Sequence, residues 1–290
     1  MTHASPTPAA PTGHAALPYL FLAGSLTVQY VGAAGAKSLF ALTGSDGATA
    51  LRVGFSALVL ALVFRPWRHV PRGLDLHAIA IYGLTLGAMN LCVYRSIALI
   101  PIGIAVAIEV CGPLAVALAG CRRVRDLIWV VLAATGLVLL LPIHGSDQPL
   151  SLIGIAYAFG AAFFWSMYIV FGKRASRLPA RQTLSWGMMM AAAVTVPFGI
   201  VNAGPALLEP HILLIGLGVA MMSSILPYSL EMLALRRLAG SVFSLIVSSS
   251  PAVAALFGFA LLNEALTPLQ CIAIACVIGA SAGNTLTAKR

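Results

Sequence analysis

A carboxylate stands inside an apolar stretch at Glu109, in Pro101-Ile-Gly-Ile-Ala-Val-Ala-Ile-Glu109. Val106, Ala107, Ile108 and Val110 offer it no local partner. If this stretch crosses a bilayer, Glu109 lies about seven residues in, roughly 10 Å deep at a rise of 1.5 Å per residue. A charged side chain at the bilayer centre costs about 2.5–3.5 kcal/mol on insertion scales, so its place needs a chemical reason. Two readings are open. The carboxylate can carry a proton or hold an ammonium, or it can form a structural ion pair with Arg95 across the short turn between two helices.

Around it stand polar and aromatic residues that are also rare at such depth: Gln29 and Tyr30, Asn90 and Tyr94, Trp165, and Tyr228. Each serves either as interhelical glue or as a ligand contact. Pro113, Pro227 and Pro251 each remove a helical hydrogen bond and bend their helix. The carbonyls so freed must face protein or a wet cavity, because lipid cannot satisfy them. They are then available to a substrate ammonium, with simple helix packing as the other reading. Lys37 and Arg52 fit snorkelling to the interface, and Lys37 also fits a gate at the outer mouth. For Glu231 the plain reading is a salt bridge to Arg236 or Arg237; for Glu264 it is a cap or loop role.

Other chemistries find no support. There is no phosphate-loop lysine motif and no HExxH, and His69, His77 and His144 lie in or near loops without a catalytic arrangement. The five cysteines form no CxxC pair, and Cys inside an apolar run behaves as a small hydrophobe. The expectation is a protein that is not an enzyme, with no cofactor and no metal. The net charge of +9 does not point to nucleic acid, which would need a clustered basic face with aromatic platforms.

The elements that position these residues follow from composition. Of 290 residues, 60% are apolar and 9% charged, against roughly 25% charged in a soluble domain; the mean hydropathy is +0.98. Such a chain lacks the polar surface to coat a soluble sphere. A spanning helix needs about 20 mostly apolar residues, and ten such runs can be read: 17–36, 48–64, 77–99, 102–120, 127–141, 151–172, 183–202, 211–235, 241–262 and 268–286. Residues 1–16 carry three prolines and no Lys or Arg, and read as a disordered tail. Fourteen of the seventeen Lys and Arg residues fall after the second, fourth, sixth and eighth runs or at the C-terminus. Basic loops stay in the cytoplasm, which places both termini there.

The two halves echo each other. Gly24 and Gly160, Lys37 and Lys173, and Gln29 and Trp165 are each 136 apart; Pro113 and Pro251 are 138 apart and are followed by similar Ala/Val runs. A steady offset marks an internal repeat. It divides the chain into residues 17–142 and 151–287, with five helices each. An odd repeat enters the membrane from opposite faces in its two copies, and inverted repeats are a transporter signature. The expected fold is therefore an all-α membrane protein of ten transmembrane helices in two inverted five-helix repeats.

Several stretches then carry a family resemblance: Ala36-Lys-Ser-Leu-Phe40, Thr49-Ala-Leu-Arg52, Tyr82-Gly-Leu-Thr-Leu-Gly-Ala-Met-Asn90, Pro101 to Glu109, Gly112-Pro-Leu-Ala-Val-Ala-Leu118, Trp129-Val-Val-Leu132 and Leu226-Pro-Tyr-Ser-Leu-Glu-Met232. Together they resemble the RhtA-type threonine/homoserine exporters, in the EamA branch of the drug/metabolite transporter superfamily, over about Gly24 to Thr287. The resemblance implies two EamA repeats in the inner membrane of a bacterium, export of small neutral amino acids driven by protons, and a central cavity lined by the first, third, fourth, sixth, eighth and ninth helices. Glu109, Asn90, Tyr94, Arg95, Gln29, Trp165 and Tyr228 become candidates to bind substrate or proton there. Lys37, Pro113, Pro227 and Pro251 become candidates for gating and helix bending. Two departures stand out: Ser250 precedes Pro251 where these exporters usually carry Glu, and Arg95 follows Tyr94 where an apolar residue is usual. The implied partners are an amino-acid substrate, protons and the lipid bilayer, with homo-oligomerisation left open. A broader drug or metabolite exporter of the same superfamily is the alternative. An intramembrane sensor or enzyme would need a catalytic pair or partner domain that the sequence does not contain.

Overall fold

The computed structural model describes residues 17–68, 71, 73–119, 127–140, 150–175, 179–235, 246 and 250–287. Every long element among them is helical: α1 (Leu17–Phe64), α2 (Leu74–Ile97), α3 (Ile102–Ala119), α4 (Leu127–Leu140), α5 (Leu152–Ala175), α6 (Ala180–Ala203), α7 (Pro210–Ala220), α8 (Leu226–Leu235), α9 (Ser250–Leu262) and α10 (Pro268–Thr287). Helix is the natural answer for such runs, since it satisfies each backbone group within its own segment where no water can. Four stretches are long and apolar enough to cross a membrane: Leu17–Phe64, Asp75–Ile97, Leu152–Gly172 and Arg181–Leu208. The tail 1–16 and most of the basic loop residues, though not Arg65, Arg68, Lys173, Arg174 and Arg181, lie outside the described residues.

α1 corrects one expectation. A loop was expected between residues 36 and 48, but the helix runs through Lys37 and breaks only at Gly44 (φ 68°, ψ 173°). That φ suits glycine, which lacks a Cβ to clash. Lys37 does not end the helix because its ammonium is matched by Glu264. Forty-eight residues in a straight helix would measure about 72 Å, over twice a hydrocarbon core of about 30 Å. The break divides it into arms 17–43 and 45–64.

The first arm lies against α8 and the turn before it. Ser25 Oγ donates to the Pro227 carbonyl at 3.1 Å, and Gly32 abuts Met222 and Ser223. The second arm packs on α6 and α7, with Gly47 against Ala203 and Leu51 against Gly216. α2 packs on α5 and α6, α3 on α5, α9 and α10, and α4 on α10. α3 is buried on every side over Ile102, Ile104, Val106 and Ile108, as an apolar-all-round sequence requires. The outer surface is the reverse of a soluble protein's: Val201 is 81% exposed and Leu208 77%. This is the face lipid would cover.

Small residues let these helices approach closely. At Gly112 of α3 an added Cβ would run into the backbone carbonyl of Ala162 in α5, which cannot swing aside as a side chain can. Gly112→Val is expected to cost about 1–3 kcal/mol of stability through overpacking, read as a lower Tm in detergent. Gly24→Ala is the control, because its methyl would meet only Leu230 at 3.8 Å. Equal Tm values for the two variants would contradict the close packing.

Candidate functional site

Three helices present apolar and polar residues at helical spacing to one interior space: Leu26, Gln29, Tyr30 and Ala33 on α1; Leu86, Asn90, Val93, Tyr94 and Ile97 on α2; Ile102, Val106 and Glu109 on α3. Residues spaced three or four apart share one helix face, so each set lines a single wall. Trp165 and Tyr168 of α5, Arg52 of the second α1 arm, Ser223 and Ser250 complete a cavity of about 350 Å³. Most of its lining is aliphatic or aromatic. Among the described lining residues Glu109 is the one carboxylate and Arg52 the one cation.

Arg52 is buried, at 8% exposure, and does not snorkel to an interface as its sequence position suggested. Its Nε donates to Ser224 Oγ at 3.1 Å, and its Nη2 to the Ser223 carbonyl at 3.1 Å. The geometry has a local cause. The residue four beyond Ser223 is Pro227, which has no N–H to donate, and a π turn occupies Met221–Ile225 just before it. The carbonyl released by the proline is therefore taken by a cation from another helix. The expectation that it would await a substrate ammonium gives way to an internal partner. The Arg52 guanidinium also lies over the Tyr94 ring, 5.1 Å from its centroid, a cation–π contact. The Tyr94 hydroxyl is buried with no hydrogen-bond partner among the described residues.

Glu109 on α3 lines the same cavity, within electrostatic reach of Arg52. No ion pair reaches its carboxylate among the described residues. The proline one turn later, Pro113, also deprives the Glu109 carbonyl of its helical donor. Both polar groups of this residue are thus left without ordinary helical company.

Arg95 does not join Glu109, and the ion pair weighed from sequence is corrected. Its Nε and Nη2 grip Asp46 Oδ1 and Oδ2 at 2.7 and 2.8 Å, while Asn202 Nδ2 donates to the same Oδ2 at 2.7 Å. The guanidinium sits between the rings of Tyr157 and Phe198. Arg95 is not among the cavity's lining residues. A second cluster joins Lys37 to Glu264, whose other oxygen accepts from the Ile102 backbone N–H at 2.8 Å. Glu264 thereby caps α3 from the far end of the chain, a tertiary role beyond the local cap expected of it.

Of the residues singled out in the sequence, Gln29, Asn90, Tyr94, Glu109 and Trp165 meet at the cavity. Pro113 lies inside α3, Pro227 near the start of α8 and Pro251 near the start of the described part of α9. The side chains of Tyr228 and Glu231 lie outside the described residues. Sequence reasoning missed Asp46, hidden in what read as a loop, and the inward placement of Arg52. The signal for Arg52 was present: a lone Arg four residues into an otherwise apolar 17-residue run.

Comparison with known proteins adds a family frame. A model of the EamA-like transporter family matches residues 152–286. The chain is 46% identical to the threonine/homoserine exporter RhtA of Salmonella typhimurium (strain LT2) and 43% identical to that of Escherichia coli (strain K12). Both alignments cover 94% of this chain and 93% of the relative. One solved crystal structure aligns over 97% of this chain and 99% of its own, with TM-score 0.60 and 18% identity, a likeness that speaks to the fold alone.

Proposed function

The chain belongs to the EamA-like transporter family, and from that premise we propose that it exports small neutral amino acids, threonine and homoserine foremost, across a bacterial inner membrane. The observation that carries this reading is the cavity: about 350 Å³, near the lower end of small-molecule sites, walled by apolar side chains and holding one carboxylate and one guanidinium. That suits a small zwitterion better than a bulky apolar drug. The names borne by the relatives over nearly the whole chain support the same substrate class.

Ten membrane-crossing helices in two inverted repeats, with both termini in the cytoplasm, are part of this proposal. Support comes from how the repeat-related glycines pack. Gly24 faces Leu230, and Gly160, 136 residues on, faces Cys92; Cys92 and Leu230 are themselves 138 apart. The contact between the first and eighth spans recurs between the sixth and third, which is in keeping with a two-fold relation between the halves. Alternating access then consists of rocking one half against the other about the cavity. Pro113, Pro227 and Pro251 serve as bends, and the Lys37–Glu264 pair as a tie at the outer mouth.

Coupling to protons is assigned to Glu109, which holds a proton in one half-cycle and the substrate ammonium in the other. The test is uptake of labelled threonine into everted vesicles, with and without an inward-acid proton gradient. Accumulation that collapses with an uncoupler is the expected result. Uptake indifferent to the gradient would remove the antiport, and absence of threonine and homoserine uptake would remove the substrate class. In growth assays, overexpression is expected to protect against toxic homoserine and to give no protection against cationic dyes; protection against the dyes would favour a broader exporter.

A further inference from the structure

Resting on the exporter reading, we propose that Asn90 of α2, with Gln29 of α1, reads the side-chain hydroxyl of the substrate. Selection of threonine and homoserine over apolar amino acids of the same size then resides in two neutral carboxamides.

The α-ammonium and α-carboxylate are common to all α-amino acids, so contacts to them cannot tell threonine from valine. A lining that is mostly aliphatic and aromatic by itself favours the more apolar of the two. Discrimination in favour of a hydroxyl therefore needs neutral hydrogen-bonding groups at the cavity with capacity to spare.

Asn90 meets that need. It is buried, at 4% exposure, and it lines the cavity. Its Nδ2 donates to the Leu86 carbonyl one turn back, at 2.8 Å. A carbonyl can only accept, so the amide nitrogen must face it and the amide oxygen is turned the other way. That oxygen accepts no hydrogen bond among the described residues. Gln29 stands on the α1 face that lines the cavity, and its carboxamide likewise makes no hydrogen bond among the described residues. Hydroxyls elsewhere on the lining already have protein partners: Ser223 Oγ donates to the Val219 carbonyl at 2.7 Å, and Tyr168 accepts from Tyr82 at 3.0 Å.

A hydroxyl both donates and accepts, which matches the oxygen and N–H groups that a carboxamide carries together. Valine would leave the amides without a partner where water or a hydroxyl had served them. A site that hydrogen-bonds a hydroxyl rejects the analogue lacking it far more strongly than an apolar pocket rejects a missing methylene.

The experiment is counterflow of labelled threonine in proteoliposomes of the purified full chain, with unlabelled threonine, homoserine, valine and 2-aminobutyrate as competitors. Valine and 2-aminobutyrate are each expected to compete at least about tenfold less well than threonine, the scale of one buried polar group left unmet. Homoserine should stay close to threonine. Asn90→Leu and Gln29→Leu, with folding verified by their thermal transitions, are each expected to narrow the gap between threonine and valine. A purely structural amide would instead weaken both competitors alike and leave their ratio unchanged. That unchanged ratio in both folded variants would overturn the assignment to the carboxamides. Valine on a par with threonine in the wild type would overturn hydroxyl reading altogether while leaving the exporter reading intact. No threonine counterflow by the folded wild type would overturn both.

Discussion

Glu109→Gln is expected to abolish gradient-driven threonine export while the protein accumulates to its normal level. The substitution keeps volume and hydrogen-bonding capacity but removes the group that can be charged in one state and neutral in the other. Because no ion pair is made to this carboxylate among the described residues, neutralising it strands no buried partner at close range. The fold should therefore tolerate the change, and relieving an intramembrane charge should if anything favour insertion. Threonine counterflow, which needs no net proton movement, separates the two roles. If Glu109 also holds the ammonium, counterflow weakens by roughly tenfold or more, as for a lost charged hydrogen bond. Loss of driven export with intact counterflow would limit Glu109 to the proton. Driven export at wild-type rate would take the residue out of the mechanism.

The second large effect is structural. Asp46→Ala leaves Arg95 between two aromatic rings without the carboxylate that it grips through two hydrogen bonds. Removing one partner of a buried pair costs about 3–5 kcal/mol. Arg95 keeps 27% side-chain exposure, so solvent or headgroup screening reduces this to about 2 kcal/mol. The expected observation is a lower Tm in detergent than for the wild type. The Asp46→Ala/Arg95→Ala double variant should recover part of the loss, since it no longer strands a cation; additive losses in that cycle would show the pair to be energetically idle. Asn202→Ala should cost less than either, because it removes only one of the hydrogen bonds to Asp46.

Much of this was legible before any coordinates. The membrane setting, the helical class and the approximate limits of most helices follow from runs of about 20 apolar residues, because in a bilayer the energy of a segment depends on its own composition. The same locality exposed Glu109, Asn90 and Trp165: polar residues in apolar runs advertise their cost whatever surrounds them. The helix limits that failed had tertiary causes. Lys37 read as a helix end because its partner Glu264 is 227 residues away, and the break came at Gly44, where only the backbone angle distinguishes this glycine from its many neighbours.

Partner choice lay beyond the chain's linear pattern. Arg95 had Glu109 as its nearest acid along the next helix, yet it meets Asp46, brought to it by the way the α1 break folds against α2 and α6. Arg52 looked like an interfacial cation until the π turn and Pro227 offered it a carbonyl from across the bundle. Burial of a segment is a sum over its own residues and can be read in order. Which charge answers which is decided by distances between helices, and those exist only once Gly112, Gly47 and their like have let the helices close upon one another.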